Sequence, residues 1–163
     1  MKVILTGARQ VGKSTALRRF LSAYPGSVAG FRTEFSTRED PNDRQLLICP
    51  IPSGAAEVAV RWVAGKPEAD LSAFDRCIPP LLRQKAELFV LDELGKFEGG
   101  AAEMRRAVEK LFDSAADVLA VVRLDAPGWM GALKERGGVT VLTVTEENRD
   151  GIPAALAKLL EKA

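Results

Sequence analysis

Short, nearly continuous apolar runs punctuate the chain at Val3–Leu5, Leu88–Leu91, Val118–Val122 and Val139–Val144. Runs of that length without polar alternation predict strands buried on both faces, as in a parallel sheet. Stretches with helical spacing lie between them: Lys13–Ala23, Ser72–Ala86, Ala101–Phe112 and Ile152–Leu160. In Ala101–Phe112, the residues Met104, Val108, Leu111 and Phe112 fall on one stripe. In Ser72–Ala86, the pair Pro79-Pro80 predicts a short helix, a break, then another turn. Asp150 is placed to cap the last helix. Strands alternating with helices predict an α/β protein with a mainly parallel sheet and right-handed crossovers. No domain boundary interrupts the pattern, so one domain is expected over residues 1–163.

Two segments break the alternation. Ser27–Ser36, "SVAGFRTEFS", reads as a strand with a glycine inside it. Gln45–Val63 holds two apolar runs flanking Pro52-Ser53-Gly54, which predicts an inserted hairpin. Between them "TREDPNDR", with Asp40-Pro41, reads as a charged, solvated turn.

Composition narrows the chemistry. The 163 residues are enough for a real core. The net charge is +1, which gives no electrostatic signal for general nucleic-acid binding. There is no histidine, so His-based triads, His proton shuttles and His-ligated zinc are excluded. Two cysteines, Cys49 and Cys77, are too few for a four-cysteine zinc site or a disulfide framework. They read as free thiols in a reducing compartment. No apolar run approaches the roughly 20 residues of a membrane span. The apolar run at Val3–Leu5 stops at once, unlike a signal peptide. A cytoplasmic location is expected.

The chemistry enters with "KVILTGARQVGKSTALRRF", Lys2 to Phe20. Gly7 to Ser14 fits G-x-x-x-x-G-K-[ST], a loop whose backbone N–H groups turn inward around phosphate oxygens. Gly7, Ala8, Arg9, Gln10, Val11, Gly12, Lys13, Ser14 and Thr15 form the expected nucleotide cradle. Gly7 and Gly12 supply the backbone freedom. Lys13 is placed to reach the β- and γ-phosphates, and the Ser14 hydroxyl to ligate Mg²⁺. The following helix adds the partial positive charge of its N-terminus. The strand before and the helix after supply the context the motif requires.

Such a loop needs an acidic partner at the end of another buried strand. The run Leu88–Leu91 ends in Asp92-Glu93. Strands of one sense gather their carboxyl ends at one sheet edge, where ligands bind. Asp92 is therefore placed to hold Mg²⁺. Glu93 is placed to polarise a water for in-line attack on the γ-phosphate. An acid there can equally serve a hydroxyl nucleophile.

The segments "LTGARQVGKST", "GFRTEF", "LDELGKFE" and "TVTEENRDGIP" together resemble the small P-loop nucleoside-triphosphatases of the cancer-related nucleoside-triphosphatase type. Order and spacing fit across nearly the whole chain. The resemblance implies a three-layer, RecA-like P-loop NTPase fold with an extra strand between the P-loop strand and the acidic strand. It also implies Mg-dependent hydrolysis of nucleoside triphosphates to diphosphates with broad base tolerance. Lys13, Ser14, Asp92 and Glu93 would carry that chemistry. The chain departs from the family pattern at Arg9-Gln10, at Arg32 and around Gln45–Val63.

Other residues are weaker candidates. Asn148 and Arg149 lie past the Val139–Val144 strand, at the same sheet edge. They either contact the base or ribose, or brace the loop and cap the last helix. Arg123 ends Val118–Val122 and either stabilises charge at the γ-phosphate or serves in an ion pair. Lys96 and Glu98 form a supporting pair beside Asp92, or enter the next helix. Trp62 and Trp129 read as packing anchors. Arg9 is expected over the γ-phosphate mouth. The expected function is NTP hydrolysis. The alternatives are a nucleotide or small-molecule kinase on the same core, with Gln45–Val63 or "GFRTEF" holding the acceptor, and a slowly hydrolysing nucleotide-gated binding module.

Overall fold

A computed structural model describes residues 1–36 and 42–160. The centre of the charged turn expected between Ser36 and Asn42, including Asp40-Pro41, lies outside the described residues. The strands are β1 (Lys2–Thr6), β2 (Val28–Phe35), β3 (Gln45–Ile51), β4 (Glu57–Val63), β5 (Lys66–Ala69), β6 (Leu88–Leu94), β7 (Asp117–Val122) and β8 (Val139–Thr143). The helices are α1 (Lys13–Ala23), α2 (Leu71–Leu81), α3 (Ala102–Asp113), α4 (Gly128–Ala132), which runs into a short 3₁₀ turn, and α5 (Ile152–Leu160).

All eight strands join one sheet in the order β5-β4-β3-β2-β6-β7-β1-β8. From β2 to β8 every pairing is parallel. From β2 outward to β5 every pairing is antiparallel. The expected extra strand is β7, which separates the P-loop strand β1 from the acidic strand β6.

β1, β6 and β7 read as apolar runs because both faces are covered, whereas β8, at the sheet's edge, has no buried residue and is not the strand buried on both faces that its run predicts. Alternate side chains then feed two cores, as a period of two requires. Val3, Leu5, Leu88, Val90, Leu119 and Val121 pack with Leu17, Phe20 and Leu156 of α1 and α5. Ile4, Phe89, Leu91, Val118, Ala120 and Val122 pack with Phe74, Met104 and Met130 of α2, α3 and α4. The result is helices on both faces of the sheet. No helix among the described residues is long and apolar enough to cross a membrane.

The glycine in β2 has a steric reason. Gly30 pairs with Val90 at a φ of 130°, and a Cβ there would lie 2.0 Å from the Val90 carbonyl oxygen. The expected hairpin is the β3–β4 pair, but it belongs to a longer meander. β3 also pairs with β2, and β5 adds a further strand at the sheet's edge. β5 carries no apolar pattern because all four of its residues, Lys66-Pro67-Glu68-Ala69, are exposed. Lysine and proline suit an unpaired edge that must not recruit another strand.

α2 departs from the expectation at Pro79-Pro80. The helix runs through both prolines and ends at Leu81, with no second helix after a break. Prolines in a last turn remove donors only from the carbonyls four residues back, so the helix stops just after them. Its start is fixed by Asp70, whose carboxylate accepts from the N–H groups of Ser72 and Ala73. Asp150 does not supply the expected cap in kind: its carboxylate accepts from Arg19 of α1 at 3.1 Å.

Candidate functional site

The loop between β1 and α1 takes its shape from three left-handed residues. Gly7, Gln10 and Gly12 have φ values of 141°, 57° and 111°. A Cβ on Gly7 would lie 2.5 Å from the Val144 carbonyl oxygen, so this position admits only glycine. Gln10 carries a side chain in a conformation that glycine and asparagine favour. No side chain caps α1 at Gly12. The first N–H groups of the helix therefore stay available to an anion.

Lys13 is almost fully buried at the first turn of α1. Its ammonium donates to the carbonyl oxygens of Gly7 at 3.0 Å and Ala8 at 2.7 Å. Burial lowers its pKa; Glu93 and Asp92 push it back up, and Arg123 adds to the lowering. The next residue links loop to strand. The Ser14 hydroxyl donates to Asp92 Oδ1 at 3.2 Å, across 78 positions of sequence. Asp92 is 6% exposed, and burial is the main cause raising its carboxyl to about 6. The Ser14 hydrogen bond works against that rise, and Glu93 adds to it. The Asp92–Glu93 peptide is cis.

The carboxyl ends of β1, β6 and β7 bring Gly7, Ala8, Lys13, Glu93 and Arg123 around one cavity of about 260 Å³. Arg9 lines the same cavity and has no hydrogen-bond or ion-pair partner among the described residues. Arg123 faces this cavity, and its guanidinium donates to Asp125 at 3.2 and 3.3 Å. On the other side of the loop, Gln10, Gly12, Thr15, Arg19 and Arg149 surround a second cavity of about 260 Å³. The Arg149 side chain passes within 3.3 Å of the position a Gly12 Cβ would take.

Asn148 braces its loop. Its Oδ1 accepts from the Thr145 N–H at 2.8 Å, and its Nδ2 donates to the Thr143 carbonyl at 2.9 Å. Of the two readings of Lys96 and Glu98, a supporting pair or helix entry, the pair is not formed. The Glu98 carboxylate is 4% exposed and accepts from the backbone N–H groups of Gly95, Lys96 and Phe97. It thereby fixes the chain just after Glu93, while Lys96 lies over the Phe97 ring at 4.9 Å. Sequence reasoning missed this role of Glu98, because its partners are backbone N–H groups rather than side chains. Trp62 and Trp129 are packing anchors, each at most 9% exposed.

Comparison with known proteins decides the family. The model of a family described as NTPase matches residues 2–157. The chain belongs to that family. Among the family's named proteins, the nucleoside-triphosphatase THEP1 of Thermotoga petrophila is 32% identical over 93% of this chain and 88% of its own. That of Natranaerobius thermophilus is 29% identical over 98% and 96%. The fold is that of THEP1 from Aquifex aeolicus, at a TM-score of 0.81, 23% identity, 99% of this chain and 100% of the other. A human cancer-related nucleoside triphosphatase superposes at 0.80, with 22% identity, 98% and 97% coverage. The family membership makes this chain a nucleoside-triphosphatase.

Proposed function

We propose that the chain hydrolyses nucleoside triphosphates to diphosphates and phosphate in a Mg²⁺-dependent reaction with broad base tolerance. The observation that carries the reading is the Ser14–Asp92 contact at 3.2 Å beside the cavity shared by Lys13 and Glu93. A hydroxyl and a carboxylate oxygen at hydrogen-bond distance are hard donors, and so few protein ligands suit Mg²⁺, which keeps waters and takes phosphate oxygens. Ser14 and Asp92 would hold it. When bound, the metal neutralises charge on the β- and γ-phosphates.

The chain's own residues do the rest. Backbone N–H groups of residues 7 to 15 and the uncapped start of α1 bind the phosphates. Lys13 exchanges its loop carbonyls for phosphate oxygens, so its ammonium is held near the site before substrate arrives. Glu93 accepts a proton from the attacking water and orients it in line with the β–γ bond. Arg9 and Arg123 stabilise charge on the transferring phosphoryl group. Gln10, Thr15, Arg19 and Arg149 shape the nucleoside side of the loop. That side offers few fixed base-edge partners, since Asn148 spends its carbonyl and one amide hydrogen on its own loop. This supports the broad base range. Free thiols at Cys49 and Cys77 suit a reducing compartment, and we place the reaction in the cytoplasm, where nucleoside triphosphates are held.

The test is phosphate release across ATP, GTP, CTP and UTP, with and without Mg²⁺, for the wild type and Lys13→Ala. The expected result is release from all four within about tenfold of one another, dependence on Mg²⁺, and a loss of about 10²–10³ in kcat for the variant. Equal rates in excess chelator would overturn the metal assignment. Release from one base alone would overturn the broad range.

A further inference from the structure

Glu93, Arg9 and Arg123 line a further cavity besides the one that faces the loop. It measures about 230 Å³ and is lined, besides Arg9, Glu93 and Arg123, by residues outside the loop. Hydrolysis needs room for one water at Glu93, whereas this volume corresponds to about eight at about 30 Å³ each. The space on the nucleophile side of Glu93 is thus far larger than water attack requires.

Its walls are chemically distinctive. Phe35, Phe74 and Phe97 line it. Phe35 is 50% exposed, an unusual position for a large apolar ring. It is held from behind: Trp62 packs edge-on against Phe35 at 5.6 Å and against Phe97 at 5.7 Å. Arg44 lies over both Phe35 and Trp62, at 4.8 and 4.5 Å. An exposed ring fixed by such a stack is a platform for another planar ring. Around it stand Lys96, which has no carboxylate partner among the described residues, and Glu34 and Thr33. Glu34 Oε2 accepts from Arg32 at 3.3 Å; its other oxygen, the Thr33 hydroxyl and the Lys96 ammonium can meet the edge of a heteroaromatic ring. At the mouth is Glu93, placed to take a proton from a hydroxyl.

We propose that this cavity is an acceptor site for a nucleoside, and that the enzyme transfers the γ-phosphoryl group to the nucleoside's hydroxyl as well as to water. The proposal rests on the loop and Glu93 acting as described under the proposed function. The base stacks on Phe35, with Lys96 and Glu34 at its edge, and a ribose hydroxyl reaches Glu93. The hydroxyl oxygen forms a bond to the γ-phosphorus as the bond from that phosphorus to the β–γ bridging oxygen breaks. The hydroxyl proton passes to the Glu93 carboxylate. The diphosphate leaves with the bridging oxygen's electron pair, and the products are a nucleoside diphosphate and a nucleoside monophosphate. The proposal also gives the antiparallel extension a purpose. β3 and β4 contribute nothing to the phosphate cradle, but Leu46 of β3 lines this cavity and Trp62 of β4 supports its platform.

The experiment supplies γ-³²P-labelled ATP and Mg²⁺ with each of the four ribonucleosides and four deoxyribonucleosides at millimolar concentration. Labelled phosphate and labelled monophosphate are separated and counted. The expected result is labelled monophosphate from at least one nucleoside. Phe35→Ala and Lys96→Met should each lower that product at least tenfold and leave phosphate release within about twofold of wild type. Phosphate release with no labelled monophosphate from any of the eight would overturn the acceptor site and leave hydrolysis standing. Neither product from any mixture would overturn hydrolysis together with it. Labelled monophosphate that survives both variants undiminished would place the acceptor elsewhere and overturn this assignment.

Discussion

The two halves of the sheet differ in what they are asked to do. The parallel strands β6, β7 and β1 are covered by helices on both faces and end at one edge, where the loop, Asp92, Glu93 and Arg123 converge. From β3 to β5, antiparallel strands are partly bare, and the outermost is exposed along its whole length. In the first half, chemistry is placed on rigid buried supports and buried charge is accepted for it: Lys13 and Asp92 are both under 10% exposed. In the second, the buried groups are apolar, Leu46, Ile48, Cys49, Ala59, Val60 and Trp62, and the charged ones lie at or near the surface. A residue's removal should therefore cost activity in one half and stability in the other.

The sharpest break of that comparison is Glu93→Gln. The amide keeps the shape but cannot accept the proton, so kcat should fall by about 10²–10⁴. Nucleotide affinity by equilibrium titration and the melting temperature should hardly move. Unchanged turnover would remove Glu93 from the reaction.

The counterpart is Trp62→Ala, in the extension. It removes a buried ring that contacts Phe35 and Phe97, and should cost about 3–5 kcal/mol of stability in chemical denaturation. Below its lowered melting temperature the variant should release phosphate within about twofold of wild type. A large loss of turnover in the folded variant would mean that the halves are not separable.

The same contrast decides what was legible in the chain. Parallel strands buried on both faces leave continuous apolar runs, and these located β1, β6 and β7 within a residue or a few; β8 was located by its valines and leucine although it lies half-exposed at the sheet's edge. The phosphate loop was legible because its demands are local: Gly7 and Gly12 answer to backbone angles, and Lys13 and Ser14 follow at fixed spacing. That Asp92 lies at the same sheet edge as Ser14 was legible from strand sense and the loop's need for an acidic partner; the 3.2 Å hydrogen bond between them was not. The extension was only half legible. Its hairpin showed through the apolar runs around Pro52-Ser53-Gly54, but β5 has no buried residue to impose a pattern. α4, with five residues, is too short for a helical period. Nor could spacing reveal Glu98's role, since the groups it binds are backbone N–H groups, which every residue but proline carries.

Asp92→Asn tests the cost of placing charge in the buried half. Without metal, the folded chain holds the Asp92 carboxyl at about 6 against an ordinary 3.8. The folded state thus binds the proton more tightly than the unfolded one. The stability tied to this group is complete below pH 3.8 and is lost as pH rises through about 6. The shift of about two pKa units corresponds to about 3 kcal/mol above that range. The asparagine variant should then be more stable than wild type at pH 8 in chelator, with the gap closing toward pH 4. In the wild type, Mg²⁺-nucleotide binding should weaken as pH falls below about 6, because the protonated carboxyl is a poor metal ligand.

The smallest effect belongs to Arg9, one of the pair Arg9-Gln10 in the middle of the loop. It lines both cavities that meet at Glu93, yet nothing among the described residues pairs with it. A cation held only by its position contributes little to folding, so Arg9→Ala should leave the melting temperature within a degree or two. Its long-range attraction for a phosphoryl group is screened by salt. Turnover should fall by about tenfold at low ionic strength and by less at 0.5 M salt, as expected for a charge acting through partly open solvent. A loss that is the same at both salt concentrations would mean direct contact with the phosphoryl group in a dry site. No loss at either would return Arg9 to the surface and leave Lys13 and Arg123 as the cations facing Glu93.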